Sequence, residues 1–343
     1  MSANNDETKE VEDKKFSIFD QNRPKVLFLG NGIHRAFSKT SWNDVLDSIK
    51  GQNFTYSAWQ YDMPMSLKAS LLSNNQLGDK IKQVINNTNN EVWNSLTSIT
   101  DPDESKLIEK YARLGFDYII TTNYSYEVEC SLLNKGNVSS KDILKLQNYN
   151  EINRAENKFL IHTFNKIKGY PPIWHIHGEA RKPNSIIIGQ LNYGKLLSKY
   201  IERLNNENTW YNNVIKNFNN KQPQKIGSWL DAFVLGDVYI VGFGFDFSET
   251  DLWWLLEYKS NFIHKGNTYF FEPADKKTNT CFFDSAITCS KLPTIVSKSE
   301  CKIELLKTYG TTVISKVNNN SYFTNCNYKN FYNDAYDHIK SII

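Results

Sequence analysis

Short apolar runs rich in β-branched and aromatic residues recur along the chain, and each one ends in glycine, asparagine or histidine. Such runs are typical of strands that are buried on both faces of a parallel sheet. Helical patterns lie between them, so the alternation predicts an α/β fold with a doubly wound, mainly parallel Rossmann-like sheet. The runs are KVLFLGNG from Lys25, DYIITTN from Asp117, IWHIHG from Ile173 and VYIVGFG from Val238.

Two of the intervening helices carry start signals. Asp101 is predicted to cap the first, because Pro102 fits the first helical position and an acid follows three residues after the cap. The second is predicted to begin near Ser248, with the Ser248 hydroxyl as cap and Asp251 three residues further on. A later helix and strand are predicted on either side of a turn at Gly310.

The domain organisation is predicted from length and local composition. Residues 1–15 are polar and of mixed charge, which predicts a disordered tail. Residues 16–343 are interpreted as one large domain that contains the sheet. Two Asn-rich segments with helical patches, roughly 51–100 and 126–170, are predicted to be helical insertions or a small second lobe.

Composition narrows the class of protein. Lys and Arg number 40 against 37 Asp and Glu, and this balance does not indicate direct nucleic acid binding. The five cysteines form no C-x-x-C pair, so neither a disulfide framework nor a zinc ribbon is predicted. The sequence has no signal peptide and no apolar run of about 18 residues, so we expect a cytoplasmic protein without a membrane span.

Four clusters of glycine or polar residues follow the predicted strands. In a doubly wound sheet, ligands bind beyond the carboxyl ends of the strands, near the point where the strand order reverses. We therefore expect the four clusters to meet at one crevice. They are Gly30-Asn31-Gly32, Thr121-Thr122-Asn123, His177-Gly178 and Gly242-Phe243-Gly244.

The first cluster, in FLGNGIHRAF, is half of a dinucleotide-binding fingerprint. Gly30 and Gly32 permit a tight turn and a close approach of the backbone to a pyrophosphate, but Arg35 stands where the third glycine is expected. The alternative is that both glycines serve the geometry of the turn only. In the fourth cluster, Asp246 or Asp251 is a candidate acceptor for ribose hydroxyls, with a helix cap as the alternative for Asp251.

The polar side chains of the second and third clusters suggest acid–base chemistry. The amide of Asn123 both donates and accepts, so it suits a ribose hydroxyl or an attacking water, with a helix cap as the alternative. His177 suits a general base, and His175 and His177 share one face if the segment is a strand. The alternative is a structural pair of histidines. No further ligand lies nearby in the sequence, so no metal site is predicted.

Taken in order, GNGIHR, TTNY, HIHG and GFGFDFSETDLWWLL resemble the SIR2 (sirtuin) family, specifically the bacterial SIR2-like proteins of antiphage defence, over roughly residues 24–315. The resemblance implies a SIR2-like NAD-binding domain over 16–343, with NAD as substrate. It implies that Asn123 positions ribose and water, that His177 is the catalytic base and that His175 supports it. The other NAD-binding residues it implies are Gly30, Asn31, Gly32, Ile33, Arg35, Thr122, Gly242, Phe243, Gly244 and Asp251.

The chain departs from sirtuin deacetylases in three places. It has His34 in place of a serine and Ser125 in place of an acid, and it lacks the paired cysteines of their zinc module. The resemblance therefore implies an NAD glycohydrolase that releases nicotinamide and ADP-ribose, acting as a regulated effector of antiphage defence. The alternatives are a nucleotide-sensing or interaction module without catalysis and, less favoured, a protein deacylase. Because the chain leaves no room for a large sensor domain, control is expected from homo-oligomerisation or a separate partner such as an ATPase.

Overall fold

A computed structural model describes most of the sheet and the helices that cover it. The described residues are 23–37, 46–47, 63–73, 99, 101–146, 159, 161–205, 209–214, 227–272, 298–315 and 328–343. The tail predicted for residues 1–15 lies outside the described residues, as does most of the insertion predicted for 51–100.

The centre of the fold is a six-stranded sheet in which every pair of neighbouring strands is parallel. The strand order is β3-β2-β1-β4-β5-β6. This confirms the predicted α/β, doubly wound, Rossmann-like fold, with the reversal of strand order between β1 and β4. The strands are β1 (Lys25–Leu29), β2 (Tyr118–Thr121), β3 (Ile173–His175), β4 (Asp237–Val241), β5 (Thr268–Phe271) and β6 (Thr311–Ile314).

Helices lie between the strands along the chain. Those with described bounds are α1 (Gly32–Phe37), α2 (Met65–Ser73), α3 (Pro102–Ala112), α4 (Glu127–Leu133), α5 (Ser140–Leu146), α6 (Gln190–Leu204), α7 (Trp229–Leu235), α8 (Thr250–Asn261), α9 (Lys298–Thr308) and α10 (Tyr328–Ile342). A short 3-10 helix covers Pro183–Ser185. No helix among the described residues has the length and apolar character needed to cross a bilayer.

The continuous apolar runs are explained by two separate cores, one on each face of the sheet. Along β1, Leu27 and Leu29 pack into one core, while Val26 and Phe28 pack into the other. Helices α1, α3, α4 and α10 contribute to the first core, on what we call the α3 face. Helices α6, α7, α8 and α9 contribute to the second, on the α8 face. Because both faces are covered, both sets of side chains from Val26 to Leu29 are apolar.

Both predicted helices are present, but only one of the two predicted caps is confirmed. The carboxylate of Asp101 accepts from the backbone N–H of Asp103 at 2.8 Å, and Pro102 is the first residue of α3. Helix α8 begins at Thr250, near Ser248 as predicted, but no side chain caps it. The Asp251 carboxylate lies against a histidine ring instead of the helix start. Local cap signals therefore fail where a tertiary partner competes for the acid.

The turn at Gly310 is confirmed between α9 and β6, with a φ of +71°. The predicted insertion at 126–170 contains α4 and α5. Within it, Val128, Cys130 and Leu132 of α4 pack into the core on the α3 face. A separate lobe stays a prediction, since residues 147–158 and 160 lie outside the described part of the chain.

Candidate active site

Two glycine turns meet at the carboxyl ends of β1 and β4, where the strand order reverses. The N–H of Gly30 donates to the carbonyl of Val241 at 2.9 Å, and the N–H of Gly32 donates to the carbonyl of Gly242 at 2.6 Å. A Cβ on Gly30 would overlap the Gly242 carbonyl, and a Cβ on Gly32 would lie 2.6 Å from it. Contact between the turns therefore accounts for both glycines, and a role of their backbone in nucleotide binding stays a prediction.

Asn31 lies between these glycines and has an unusual environment. Its Nδ2 and Oδ1 atoms are both buried, and neither has a hydrogen-bond partner among the described residues. Leaving a buried donor or acceptor without a partner costs about 1–3 kcal/mol. An amide kept in this state at a strand-order reversal indicates a site prepared for a polar ligand.

The helix that follows this turn places its side chains in three different environments. Ile33 is buried in the core on the α3 face. The ring of His34 lies 2.7 Å from Glu104, with both side chains 2% exposed, so His34 forms a buried link from α1 to α3. Arg35 is exposed, and the hydroxyl of Tyr332 from α10 lies against Gly32. Of Ile33, His34 and Arg35, only Arg35 is exposed, and its role in NAD binding stays a prediction.

The turn after β4 is held by its aromatic residues. Gly242 has a φ of +70°, and the ring of Phe243 packs on Phe28 at 5.2 Å in the core. Gly244 is exposed, and its carbonyl accepts from Lys302 at 3.0 Å. Phe243 thus anchors the turn in the core, and Gly244 is the exposed residue of the Gly242-Phe243-Gly244 cluster.

Asn123 follows β2 and is buried beside a carboxylate that sequence analysis missed. Its Nδ2 donates to Glu127, whose second oxygen accepts from the Ser125 hydroxyl at 2.5 Å. Its backbone N–H donates to the Thr121 hydroxyl at 3.1 Å. The neighbouring Thr122 is buried as well. Asn123 does not cap α4, so the alternative interpretation of this residue is wrong.

His175 is the last residue of β3, and both of its ring nitrogens contact acceptors. Nδ1 donates to the backbone carbonyl of Asn123 at 2.7 Å, and Nε2 lies 2.8 Å from the carboxylate of Glu129 on α4. Burial alone would lower the pKa of His175, but Glu129 and then Glu179 outweigh it and raise that pKa to about 9. His175 therefore joins the Asn123 segment to the α3 face.

His177 lies beyond the strand end and contacts the other side of the fold. Its Nε2 is 3.0 Å from Asp251 on α8, and that carboxylate oxygen also accepts from the Tyr200 hydroxyl at 3.1 Å. The prediction that both imidazoles share one face fails, because β3 ends at His175 and Gly178 turns the chain with a φ of +98°. The two histidines thus belong to separate clusters.

The cluster around His177 has a second acid. Oε2 of Glu249 is 3.8 Å from Nδ1 of His177 and accepts from the Tyr193 hydroxyl at 3.2 Å. Burial disfavours a charged ring, but Asp251 and then Glu249 outweigh it and raise the pKa of His177. Tyr193 also meets the ring edge-on, with centroids 5.3 Å apart. Both histidine rings are buried and hydrogen-bonded, so the alternative of structural histidines stays open.

The same cluster contains atoms of the kind that bind metals. One nitrogen of His177 and one oxygen each of Glu249 and Asp251 lie within 4.8 Å of one another, and such atoms are zinc-type ligands. Nε2 of His177 is hydrogen-bonded to Asp251 at 3.0 Å, whereas Glu249 lies 3.8 Å from Nδ1, beyond hydrogen-bond distance. The cluster is thus one hydrogen-bonded ion pair with a second acid beside it, and the expectation of no metal site stays a prediction. Sequence spacing did not predict the cluster, because Asp251 lies 74 residues from His177.

Several polar residues of the site were missed by sequence analysis. A weak signal was present, because alternating acids directly follow two of the strand-end motifs in YEVEC and SETD. The tyrosines gave no signal, since they occupy buried positions on α6 that are typical of core residues. The missed residues are Glu127, Glu129, Tyr193, Tyr200 and Glu249.

Neither a protein-family model nor a curated protein sequence matches this chain. The four strand-end motifs and the geometry around them are thus the basis for a functional assignment.

Proposed function

We propose that this protein is an NAD glycohydrolase of SIR2-like type that cleaves NAD to nicotinamide and ADP-ribose. The observation that carries the proposal is the unpartnered, buried amide of Asn31 at the carboxyl end of β1, beside the end of β4. In doubly wound sheets this is the position at which dinucleotides bind. Gly242 contacts the turn that contains Asn31. The segment that starts at Gly242 continues to Glu249 and Asp251, so it carries acid–base groups away from that turn.

The reaction breaks the bond between nicotinamide and the ribose, and positive charge develops on the sugar. Asn123 donates through Nδ2 to Glu127, so Oδ1 is the amide atom that no described hydrogen bond uses. In the proposal Oδ1 accepts from a ribose hydroxyl or from the attacking water. The ion pair of His177 and Asp251 adds fixed charge at the same edge of the sheet, which orients the sugar and water.

Substitution of the two predicted catalytic residues tests the proposal. We expect Asn123→Ala and His177→Ala each to reduce nicotinamide release from NAD by about 100-fold or more, since positioned acid–base groups contribute on this scale. Chromatographic detection of nicotinamide gives the rate, and thermal unfolding of each variant confirms the fold. Asn261→Ala is the control, because that exposed amide at the end of α8 donates to the backbone carbonyl of Glu257 on its own helix. Full activity in both active-site variants would refute the assignment.

We further propose that the enzyme is cytoplasmic and held inactive until a trigger arrives, as a defence effector must be. Unrestrained NAD loss would kill the cell that makes it. Homo-oligomerisation or a separate partner such as an ATPase would supply the control. Size-exclusion chromatography combined with the nicotinamide assay checks this, and a fully active monomer would argue against it.

One observation favours a second candidate, a nucleotide-sensing module without catalysis. Nε2 of His177 is hydrogen-bonded to Asp251 and Glu249 lies 3.8 Å from Nδ1, so two negative charges favour the protonated ring. A protonated imidazole cannot act as a base. This candidate predicts that calorimetry detects ADP-ribose binding while NAD stays intact under every activating condition.

A further inference from the structure

The three charged residues around the His177 ring differ in their access to solvent. The His177 side chain is 3% exposed and Asp251 is fully buried, whereas Glu249 is 21% exposed. Asp251 is also committed to two partners through one oxygen, Nε2 of His177 and the hydroxyl of Tyr200. Glu249 is therefore the one carboxylate of this cluster that a bound substrate and its water can reach.

The charge pattern assigns different tasks to the members of the cluster. Asp251 is hydrogen-bonded to Nε2, and Glu249, 3.8 Å from Nδ1, adds a second negative charge, so both acids favour the protonated ring. A ring with protons on both nitrogens has no lone pair to accept another. Within the described part of the chain, the Glu249 carboxylate accepts one hydrogen bond, from Tyr193 at 3.2 Å, and keeps further lone pairs for another donor.

We propose that Glu249 is the proton acceptor in NAD hydrolysis, and that His177 and Asp251 form a charged pair that holds it in place. This inference rests on the proposed NAD glycohydrolase function and names a catalytic residue within it. His177 is then a positioning residue for the carboxylate.

In the proposed step, nicotinamide leaves the ribose, water takes its place and Glu249 accepts the proton. The bond between C1′ of the ribose and the nicotinamide nitrogen breaks, and its electron pair stays on that nitrogen, which neutralises the pyridinium ring. Water attacks C1′ and gives one proton to the Glu249 carboxylate. The products are nicotinamide and ADP-ribose, and the partly exposed carboxyl group returns the proton to solvent.

The surroundings of Glu249 suit this task near neutral pH. Burial raises the pKa of Glu249, His177 opposes that change, and Asp251 adds to it, with a net value of about 7. A carboxylate whose pKa lies near the working pH is ionised in a large fraction of molecules and still binds a proton strongly, and both properties favour general-base catalysis. The titratable groups that face it are Asp246 and Asp251 from its own segment, His177 from the β3 loop, Tyr193 and Tyr200 from α6, and Tyr124 from the β2 loop.

The test compares Glu249→Gln with Glu257→Gln, which makes the same chemical change at an exposed position of α8. We expect Glu249→Gln to lower kcat for nicotinamide release by on the order of 100-fold. Wild type should show a rate that rises with pH through about 7, and Glu249→Gln should lose that limb. Glu257→Gln should match wild type in both rate and pH profile.

A rescue experiment separates chemistry from structure. In Glu249→Ala, sodium azide should restore nicotinamide release and give an azido sugar product, because azide is a nucleophile that needs no base. If Glu249 only supported the fold, azide would not restore nicotinamide release in Glu249→Ala. Thermal unfolding and ADP-ribose binding show whether each variant remains folded.

The outcomes distinguish this role from the function on which it rests. If wild type never releases nicotinamide, the glycohydrolase proposal fails and the role fails with it. If wild type is active and Glu249→Gln keeps both its rate and its pH limb, the role of Glu249 is overturned and the function stands. If His177→Ala loses the rise of rate with pH and Glu249→Gln keeps it, the proton acceptor is the His177 imidazole.

Discussion

At the level of single residues, the partners of His175 decide its charge. A backbone carbonyl only accepts hydrogen bonds, and so does an ionised carboxylate. Because Nδ1 faces the Asn123 carbonyl and Nε2 faces Glu129, the ring satisfies both only when both nitrogens carry protons. The raised pKa, about 9, describes the same state. His175 is therefore a charged connection inside the protein rather than a reserve base.

This charge predicts how stability depends on pH. The pKa of His175 rises from 6.5 to about 9 on folding, so its contribution is fully present below pH 6.5 and is lost as pH rises through about 9. A shift of this size corresponds to roughly 3 kcal/mol. Urea unfolding from pH 6 to 10 should show this loss in wild type. This loss of stability should be smaller in His175→Asn, because the asparagine amide can donate to the Asn123 carbonyl but carries no charge to pair with Glu129. Parallel curves for the two proteins would contradict a charged ring.

Sequence analysis found both histidines and Asn123 but could not assign their partners. Glu129 lies 46 residues from His175, and Asp251 lies 74 residues from His177. Pairings over such separations depend on the strand order and on the sharp turn at Gly178, and neither is encoded in a local pattern. Residue type thus predicted the chemistry, while the fold decided which acid serves which ring.

At the level of elements, the carboxyl end of α7 shows how buried helix ends are satisfied. The Lys259 ammonium donates to the carbonyls of Phe233 at 2.9 Å, Gly236 at 2.9 Å and Asn267 at 3.2 Å. Arg23 donates to the last carbonyl of the helix, that of Leu235, at 3.1 Å. Positive charge at this end also complements the helix dipole. One side chain of α8 therefore connects α7 to the starts of β4 and β5.

We predict that Lys259→Met lowers the free energy of unfolding by roughly 2–4 kcal/mol, because Met keeps the packing of the stem but removes a charged donor from several buried carbonyls. Burial lowers the pKa of Lys259 well below its usual value, so loss of the charge offsets part of this effect. Urea unfolding measures the difference. Lys199→Met, at a side chain that is 49% exposed, should change stability by less than about 0.5 kcal/mol. A gain in stability for Lys259→Met would show that desolvation dominates.

Elements differ in how well the sequence predicted them. The α3 start was predicted correctly because Asp101, Pro102 and the acids after them act within one helical turn. The α8 cap was predicted wrongly because Asp251 bonds across the fold, to His177, instead of capping. The sequence predicted a strand through HIHG, but β3 stops at His175, where the chain must turn to bring Ile187 onto the His177 carbonyl.

At the scale of the whole molecule, the fold class followed from the sequence because apolar runs and helices alternate along the chain. The strand order did not follow, since it depends on which neighbours each strand selects in space. The order places the turns after β1 and β4 in contact, through Gly30 and Gly32 on either side of Asn31. The unpartnered amide is thus a property of the assembled sheet, invisible in GNG as a motif.

A buried amide without partners should act against stability until a ligand satisfies it. We predict that Asn31→Ala leaves the ligand-free free energy of unfolding unchanged or raises it by up to about 2 kcal/mol, because it removes an uncompensated polar group. ADP-ribose should stabilise wild type, and each tenfold loss of affinity should remove about 1.4 kcal/mol of that gain in Asn31→Ala. Thermal and urea unfolding with and without ADP-ribose measure both effects, with Asn261→Ala as the matched control.

The two halves of this prediction share one cause, so they must occur together. Ligand-free stability that falls in Asn31→Ala while the ADP-ribose effect persists would mean that the amide supports the turn and meets no ligand. If ADP-ribose shifts neither protein, the reversal between β1 and β4 does not bind this nucleotide. We expect Asn31→Ala to be at least as stable as wild type without ligand and to be stabilised less than wild type by ADP-ribose. This combination is expected because only the bound state satisfies the buried amide.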